Sequence, residues 1–298
     1  MCMLALLYRV AKNTPVLVAA NREERFDRPT QYPKIQSGHP RVVCGTDREA
    51  GGTWLGVNQY GLVVAVCNRP KAVLPIEPRS RGLLCRELLN SRTAKDATHR
   101  AVAELNKGIY AGANYVCADA HYAAVVHGGN QIEAVELEPG LHIVTNGNVD
   151  DPRDERHELI RRLLTLHTLD SAVMFLAVAS RAFARKPDSA GRRGVVVNRG
   201  DWGTVSSTLL SLPKRIQHAT YQYAPGPPSE TPYDDLSALL RQVLSADRNR
   251  SKPSPEQQAA QAQVKPAKPD KAGVKAIKSE VKHKAHDKAV KVEAKRKK

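Results

Sequence analysis

A cysteine stands at position 2, directly behind Met1 and at the head of the apolar run Met3-Leu4-Ala5-Leu6-Leu7. Cysteine is small enough for a methionine aminopeptidase to remove Met1. Removal leaves a thiol and a free α-amino group on one residue, with ordinary pKa values of about 8.5 and about 7.7–8.0. Such an amine can act as general base for its own side chain, the N-terminal form of a nucleophile–base pair. The chemistry would be attack of the Cys2 sulfur on an amide, ester or thioester carbonyl. A free cysteine can equally be a small buried core residue, so the reading turns on what else reaches the same end of the fold.

Four other stretches are candidates to do so. Asn21-Arg22-Glu23-Glu24 closes the second apolar run, and a hairpin turned by Lys12-Asn13-Thr14 brings it level with Cys2. Arg22 and Glu24 could fix the terminus, while Asn21 and Glu23 could hold substrate. An arginine here could also bind a substrate carboxylate bidentately. A surface turn with a salt bridge is the ordinary alternative. Asn68 ends the apolar run 62–67, where an amide has little packing use but can donate to an oxyanion. Asn146, in Val144-Thr145-Asn146-Gly147-Asn148, stands at another strand end and could position substrate or amine; Asn148 reads as a turn residue. Trp54, in Gly51-Gly52-Thr53-Trp54-Leu55-Gly56, is a candidate substrate contact.

The elements that must position these residues follow from periodicity. Residues 3–10 and 15–20 read as strands, and 21–40, polar with three prolines, as a long loop. A hairpin over 51–57 and 62–67 turns at Asn58-Gln59-Tyr60-Gly61; its strands are apolar at nearly every position, as suits burial on both faces. Residues 80–89 and 94–105 have helical spacing. Strands are predicted over 114–118, 122–126, 132–137 and 141–145. A helix follows Asp151-Pro152, with Asp151 as cap, and another spans 170–184. Strands over 194–198, 204–210 and 215–223 close the globular part. Strands, helices, strands, helices, strands is not the alternation of a parallel sheet. It predicts an α+β fold, an αββα sandwich of two antiparallel sheets, over residues 1–223. Residues 224–250 read as a proline-rich linker and a short helix, and 251–298 as a disordered tail.

Together, Cys2, Asn21-Arg22-Glu23-Glu24 with Arg28-Pro29, Gly51-Gly52-Thr53-Trp54-Leu55-Gly56, Gly61, Asn68 and Thr145-Asn146 resemble the NRDE family, also called the Transport and Golgi organisation protein family. The resemblance covers roughly residues 2–210. That family is in turn similar to the N-terminal-nucleophile (Ntn) hydrolases of the penicillin acylase and bile-salt hydrolase group. The resemblance implies a Cys2 nucleophile, an oxyanion amide at Asn68 and a further site amide at Asn146. It also implies an Arg–Asp pair, for which Asn21 or Arg22 and Glu23 or Glu24 would stand. Where the family often carries Gly-Thr-Arg-Ser-Ser-Thr, this chain reads Gly203-Thr204-Val205-Ser206-Ser207-Thr208. Arg192, Arg193 or Arg199 could replace the missing arginine. The activity implied is hydrolysis of a linear amide (C–N bonds other than peptide bonds) or acyl (thio)ester of a small molecule. The alternative is a non-catalytic carrier using the same cleft, since eukaryotic members are linked to secretory organisation, lipid metabolism and haem movement.

Composition bounds the remaining possibilities. Residues 251–298 hold thirteen lysines and one arginine against five acids, a net +9 of the chain's +16, and no aromatic residue. Such a segment cannot bury enough apolar surface to offset its ordering entropy. Its charge suits a non-specific anionic partner, nucleic acid or an acidic surface. The body shows no basic stripe interleaved with aromatics, no phosphate loop, no Gly-x-Gly-x-x-Gly unit and no metal-ligand spacing. No cofactor or metal is expected. The five cysteines are odd in number and scattered, which with the lack of a signal-like segment or spanning run predicts a reduced, cytoplasmic protein.

Overall fold

The computed structural model describes residues 2–188 and 194–250, the side chains of 247–250 excepted; the basic segment 251–298, read above as disordered, lies outside them. In chain order the strands begin with β1 (Met3–Tyr8), β2 (Val16–Arg25), β3 (Thr30–Gln36), β4 (Val42–Asp47), β5 (Leu55–Asn58) and β6 (Val63–Asn68). Helices α1 (Arg81–Leu88) and α2 (Ala94–Leu105) come next. They are followed by β7 (Ala113–Ala118), β8 (Ala123–Gly128), β9 (Ile132–Glu136) and β10 (Gly140–Val144). Helices α3 (Glu155–Thr165) and α4 (Ala172–Phe183) precede β11 (Asn198–Arg199), β12 (Trp202–Leu212), a 3-10 turn (Ile216–His218) and β13 (Thr220–Ala224). The short β14 (Asp234–Asp235) and α5 (Ser237–Arg250) end the described chain.

The strands form two antiparallel sheets. One has the order β10-β1-β2-β12-β13-β14 with β11 on β12; the other runs β3-β4-β5-β6-β7-β8-β9. Strand alternation explains why the central runs are apolar throughout. In β1, Leu4, Leu6 and Tyr8 face the second sheet, where they meet Val57, Val63, Ala65 and Val125. Met3, Ala5 and Leu7 face outward onto Ile160 and Leu164 of α3 and Phe175 and Phe183 of α4. The second sheet is covered in the same way, with Val64, Tyr115 and Val126 against Leu84 and Leu88 of α1 and Ala101 and Leu105 of α2. The result is the αββα sandwich, two sheets inside and a helix pair on each outer face. Each fully buried large apolar side chain contributes about 1.5–3 kcal/mol. Among the described residues no helix is long and apolar enough to cross a membrane.

Several local expectations change. Residues 21–40 are not one loop: β2 continues to Arg25 and β3 follows after a four-residue turn. The prolines misled because β3 is an edge strand, where Pro33 sits at a register shift between Gln31 and Lys34 and need donate to no neighbour. Helix α3 is capped by Asp154, whose Oδ1 accepts from the Arg156 and His157 amides at 2.9 and 3.3 Å. Asp151 instead accepts from Arg153 N and Nε, a local turn that holds Pro152 outside the helix. Of residues 194–198 only Asn198 pairs, and 216–218 form a 3-10 turn before β13. Helix α5 docks between the sheet edges: Leu240, Val243 and Leu244 join the inter-sheet core with Tyr221 and Tyr223. The stretch before it is tied down by Tyr233 OH on Ser207 Oγ (2.8 Å) and by Asp234 accepting from Tyr32 OH (2.8 Å).

Candidate active site

Strand β1 lies between β10 and β2, so the residue before Met3 opens at the end of a central strand. Cys2 shares the inward face of Leu4 and Leu6 and packs, half-buried, against the inter-sheet core. Its thiol meets Cys67, the second-last residue of β6 in the opposite sheet. The neighbouring Cys67 thiol lowers it most, burial works against this, and the positive chain terminus, the Glu23 main-chain N–H and Arg22 add to the lowering. The balance brings Cys2 down to about 6. Cys67, as the partner that keeps its proton, is pushed well up. Both are free thiols.

Because β2 runs on to Arg25, its period of two divides the Asn21-Arg22-Glu23-Glu24 run between opposite faces. Arg22 and Glu24 turn inward to the cleft. The Arg22 guanidinium lies 4.4 Å over the Trp54 ring and donates to Thr30 Oγ1 at 2.9 Å. Glu24 is 4.0 Å from Arg22 and 3.7 Å from Arg28. Arg28 in turn pairs with Asp47 at 2.7 Å and Glu49 at 3.2 Å. Burial tends to raise the Asp47 carboxyl, but Arg28 outweighs it and holds Asp47 below the ordinary range. Asn21 and Glu23 point the other way. Asn21 Nδ2 donates to Phe183 O of α4 at 3.0 Å. The Glu23 side chain is wholly buried and paired through both oxygens with Arg156 of α3. Burial pushes Glu23 up to about 7 although Arg156 opposes the shift.

Two glycine contacts place Trp54. A Cβ on Gly45 of β4 would come within 2.3 Å of the Trp54 ring, and one on Gly52 within 2.2 Å of the Gly82 main chain. Glycine at both positions lets the indole lie flat on β4 and lets the 51–53 loop hydrogen-bond the start of α1, Thr53 N to Gly82 O at 2.9 Å. The resulting cleft holds about 410 Å³ and is walled by Cys2, Arg22, Glu24, Arg28, Trp54 and Asn68. Asn146 does not line it. Its Nδ2 donates to the main-chain carbonyl of Asn68 at 2.6 Å, so it holds the residue that does.

Thus the structure brings Cys2, Arg22, Glu23, Glu24, Trp54 and Asn68 to one cleft, with the Glu23 carboxylate paired to Arg156 behind it, sets Asn146 behind Asn68, and turns the Asn21 side chain away. Arg192 and Arg193 lie outside the described residues, and Arg199 is exposed in β11. Val205 sits at a bulge in β12, between the pairs Thr204–Glu23 and Ser206–Arg22. The Glu23 that pairs with Thr204 across the strands is held by Arg156, a residue no sequence motif marked. Its only signal was its place in the first turn of the helix after Asn146. Cys67 was legible as the inward neighbour of Asn68, had the five cysteines not been read as scattered.

A family model described as Transport and Golgi organisation 2 matches residues 1–217. The chain belongs to that family. The Bos taurus Transport and Golgi organization protein 2 homolog is 28% identical over 231 residues, covering 67% of this chain and 83% of that protein. For the Homo sapiens homolog the figures are 28% over 152 residues, 48% and 55%. Solved structures similar to this chain include penicillin V acylase from Agrobacterium tumefaciens (TM-score 0.46, 15% identity, 81% of this chain and 88% of that one). Another is the Caenorhabditis elegans N-acylethanolamine-hydrolyzing acid amidase ortholog (TM-score 0.48, 14% identity, 73% and 96%). In this Transport and Golgi organisation 2 family member, residues 21–24 read Asn-Arg-Glu-Glu.

Chemically, the cleft joins an acidified thiol, one cation stacked on an aromatic ring, a ring of acids bridged by Arg28, and an amide at a strand end. A thiolate is the reactive form of cysteine.

Proposed function

We propose that the cleft is the active site of an N-terminal-cysteine hydrolase acting on a linear amide or acyl (thio)ester of a small molecule. The observation that carries this reading is the place of Cys2, at the end of a central strand and facing a cleft with Arg22 and Asn68 in its wall. Removal of Met1 would place an amine on the same residue. The Cys2 thiolate attacks the substrate carbonyl, and the carbonyl π electrons move to oxygen. The Asn68 amide donates to this oxyanion, an interaction whose loss typically costs about 10²–10³ in rate. Collapse expels the amine, alcohol or thiol leaving group, which takes a proton from the α-ammonium of Cys2. Water, deprotonated by the same amine, then attacks the acyl-cysteine and releases the acid and the free thiol. Arg22, fixed by Trp54 and Thr30, offers a cation to an anionic part of the substrate.

The test is turnover of p-nitrophenyl acetate, an activated acyl ester, by wild type and by Cys2→Ala. The expected outcome is Cys2-dependent acylation that Cys2→Ala abolishes while its circular dichroism is unchanged. Equal turnover by the two proteins overturns the assignment.

A further inference from the structure

Behind Asn68 lies a buried polar cluster that none of the steps above uses. Asn114 of β7 is fully buried on the inner face, beside Cys67 in the β6–β7 ladder and opposite His127 in the β7–β8 ladder. All four of its side-chain hydrogen-bonding positions are filled. Nδ2 donates to Thr145 O at 3.0 Å and to Gly147 O at 2.8 Å. Since that nitrogen is committed to two carbonyls, Oδ1 faces His127 Nδ1 at 2.8 Å and Arg69 Nη1 at 3.3 Å. His127 must then carry its proton on Nδ1, which leaves Nε2 to accept from the Val149 amide at 3.3 Å. Burial, with Arg69 close by, pushes the imidazole down to about 4, so it is neutral in this role. Arg69, next in sequence to Asn68, donates to Gly147 O at 2.7 Å and to Asn148 Oδ1 at 2.6 Å.

These bonds tie the 145–149 loop, which leaves β10 of the first sheet, to β6, β7 and β8 of the second. Asn146 is the middle of that loop and grips the Asn68 carbonyl. The loop therefore holds both Asn68 and Arg69, and Asn114 holds the loop. A buried amide with every position satisfied has one low-energy orientation, so the cluster is a rigid clamp.

We propose that Asn114, oriented by His127 and assisted by Arg69, is a positioning residue that sets the Asn68 amide at the cleft through the Asn146 loop. This rests on Asn68 acting as the oxyanion donor in the reading above.

Two reagents for the same sulfur separate positioning from folding. p-Nitrophenyl acetate acylates Cys2 through a tetrahedral oxyanion; iodoacetamide alkylates it by displacement, with no oxyanion formed. In the full chain, Asn114→Leu and Arg69→Lys are expected to slow acylation by about 10-fold or more and to leave alkylation within about two-fold of wild type. Lysine keeps the charge at 69 but cannot make the forked contacts. If acylation and alkylation are both unchanged, or both fall together, the proposal is overturned; should Asn114→Leu fail to fold, Arg69→Lys decides. A wild type that is alkylated but not acylated counts against the hydrolase reading instead. The clamp is then judged by the Asn68 side-chain amide signal in a 15N–1H spectrum, which is expected to shift in Arg69→Lys, and whose constancy would overturn it.

Discussion

At the residue scale, the account rests on a sulfur pair. The Cys67 thiol is the largest influence on the Cys2 thiol, and lowers it. Removing it destabilises the thiolate, so the Cys2 pKa must rise in Cys67→Ala. The rate of Cys2 alkylation by iodoacetamide should therefore climb through a midpoint near pH 6 in wild type, and through a higher midpoint in the variant. Coincident profiles would show that Cys67 has no such role. Cys2, Arg22, Glu24, Trp54 and Asn68 were legible in the sequence because strand ends collect at one edge of a sheet. Asn21 was misplaced, and the pairing of Glu23 with Arg156 missed, for one reason: treating residues 21–40 as loop hides the alternation that sends every second β2 side chain outward. Arg156 carries no signal beyond its place in the first turn of a helix, and Asn114 none at all. Their roles exist only once α3 and β7 are packed against the site.

At the element scale, the segment after β10 is fixed twice, by the Asn114 clamp and by Asp150. Asp150 accepts from His142 Nδ1 at 2.7 Å, from the Ile143 amide at 2.8 Å and from Arg161 Nη2 of α3 at 2.6 Å. Burial would raise this carboxyl, but His142, the neighbouring His157 and the Ile143 amide outweigh it and hold it well below the ordinary aspartate range; burial tends to lower His142, but Asp150 outweighs it and raises it. The depressed Asp150 adds stability above its unfolded value near 4, lost as pH falls below it. The raised His142 adds stability below its unfolded value near 6.5, lost as pH rises through its folded value. Asp150→Asn, which tolerates the positive φ of 56° there, should cost about 2 kcal/mol. The cost should be largest between about pH 4 and 6.5 and smaller on either side, as read from urea unfolding of both proteins across that range. A pH-independent difference would contradict the pairing. The two helix pairs and most strands were readable from apolar spacing. The β3–β4 pair was not, because an edge strand can carry Pro33 and polar residues that a central strand cannot.

At the scale of the whole molecule, element order alone was enough to predict two antiparallel sheets between helix layers, since non-alternating blocks of strands and helices leave few other ways to bury both faces. The extent of the folded body was harder to read. The prolines of 225–232 suggest a spacer, yet α5 supplies Leu240 and Val243 to the core between the sheets, both fully buried. Leu240→Ala should cost about 2–5 kcal/mol and lower the thermal midpoint, while the folded protein still alkylates at Cys2 at the wild-type rate. An unchanged midpoint would mean that α5 is not part of the cooperative unit.

The central claim is that Cys2, freed of Met1, is the nucleophile of this cleft. Intact-protein mass spectrometry after exposure to p-nitrophenyl acetate tests it most directly. The account predicts a chain lacking Met1 that carries one acetyl group, and no adduct on Cys2→Ala. A chain that retains Met1, or an adduct that persists in Cys2→Ala, would contradict it.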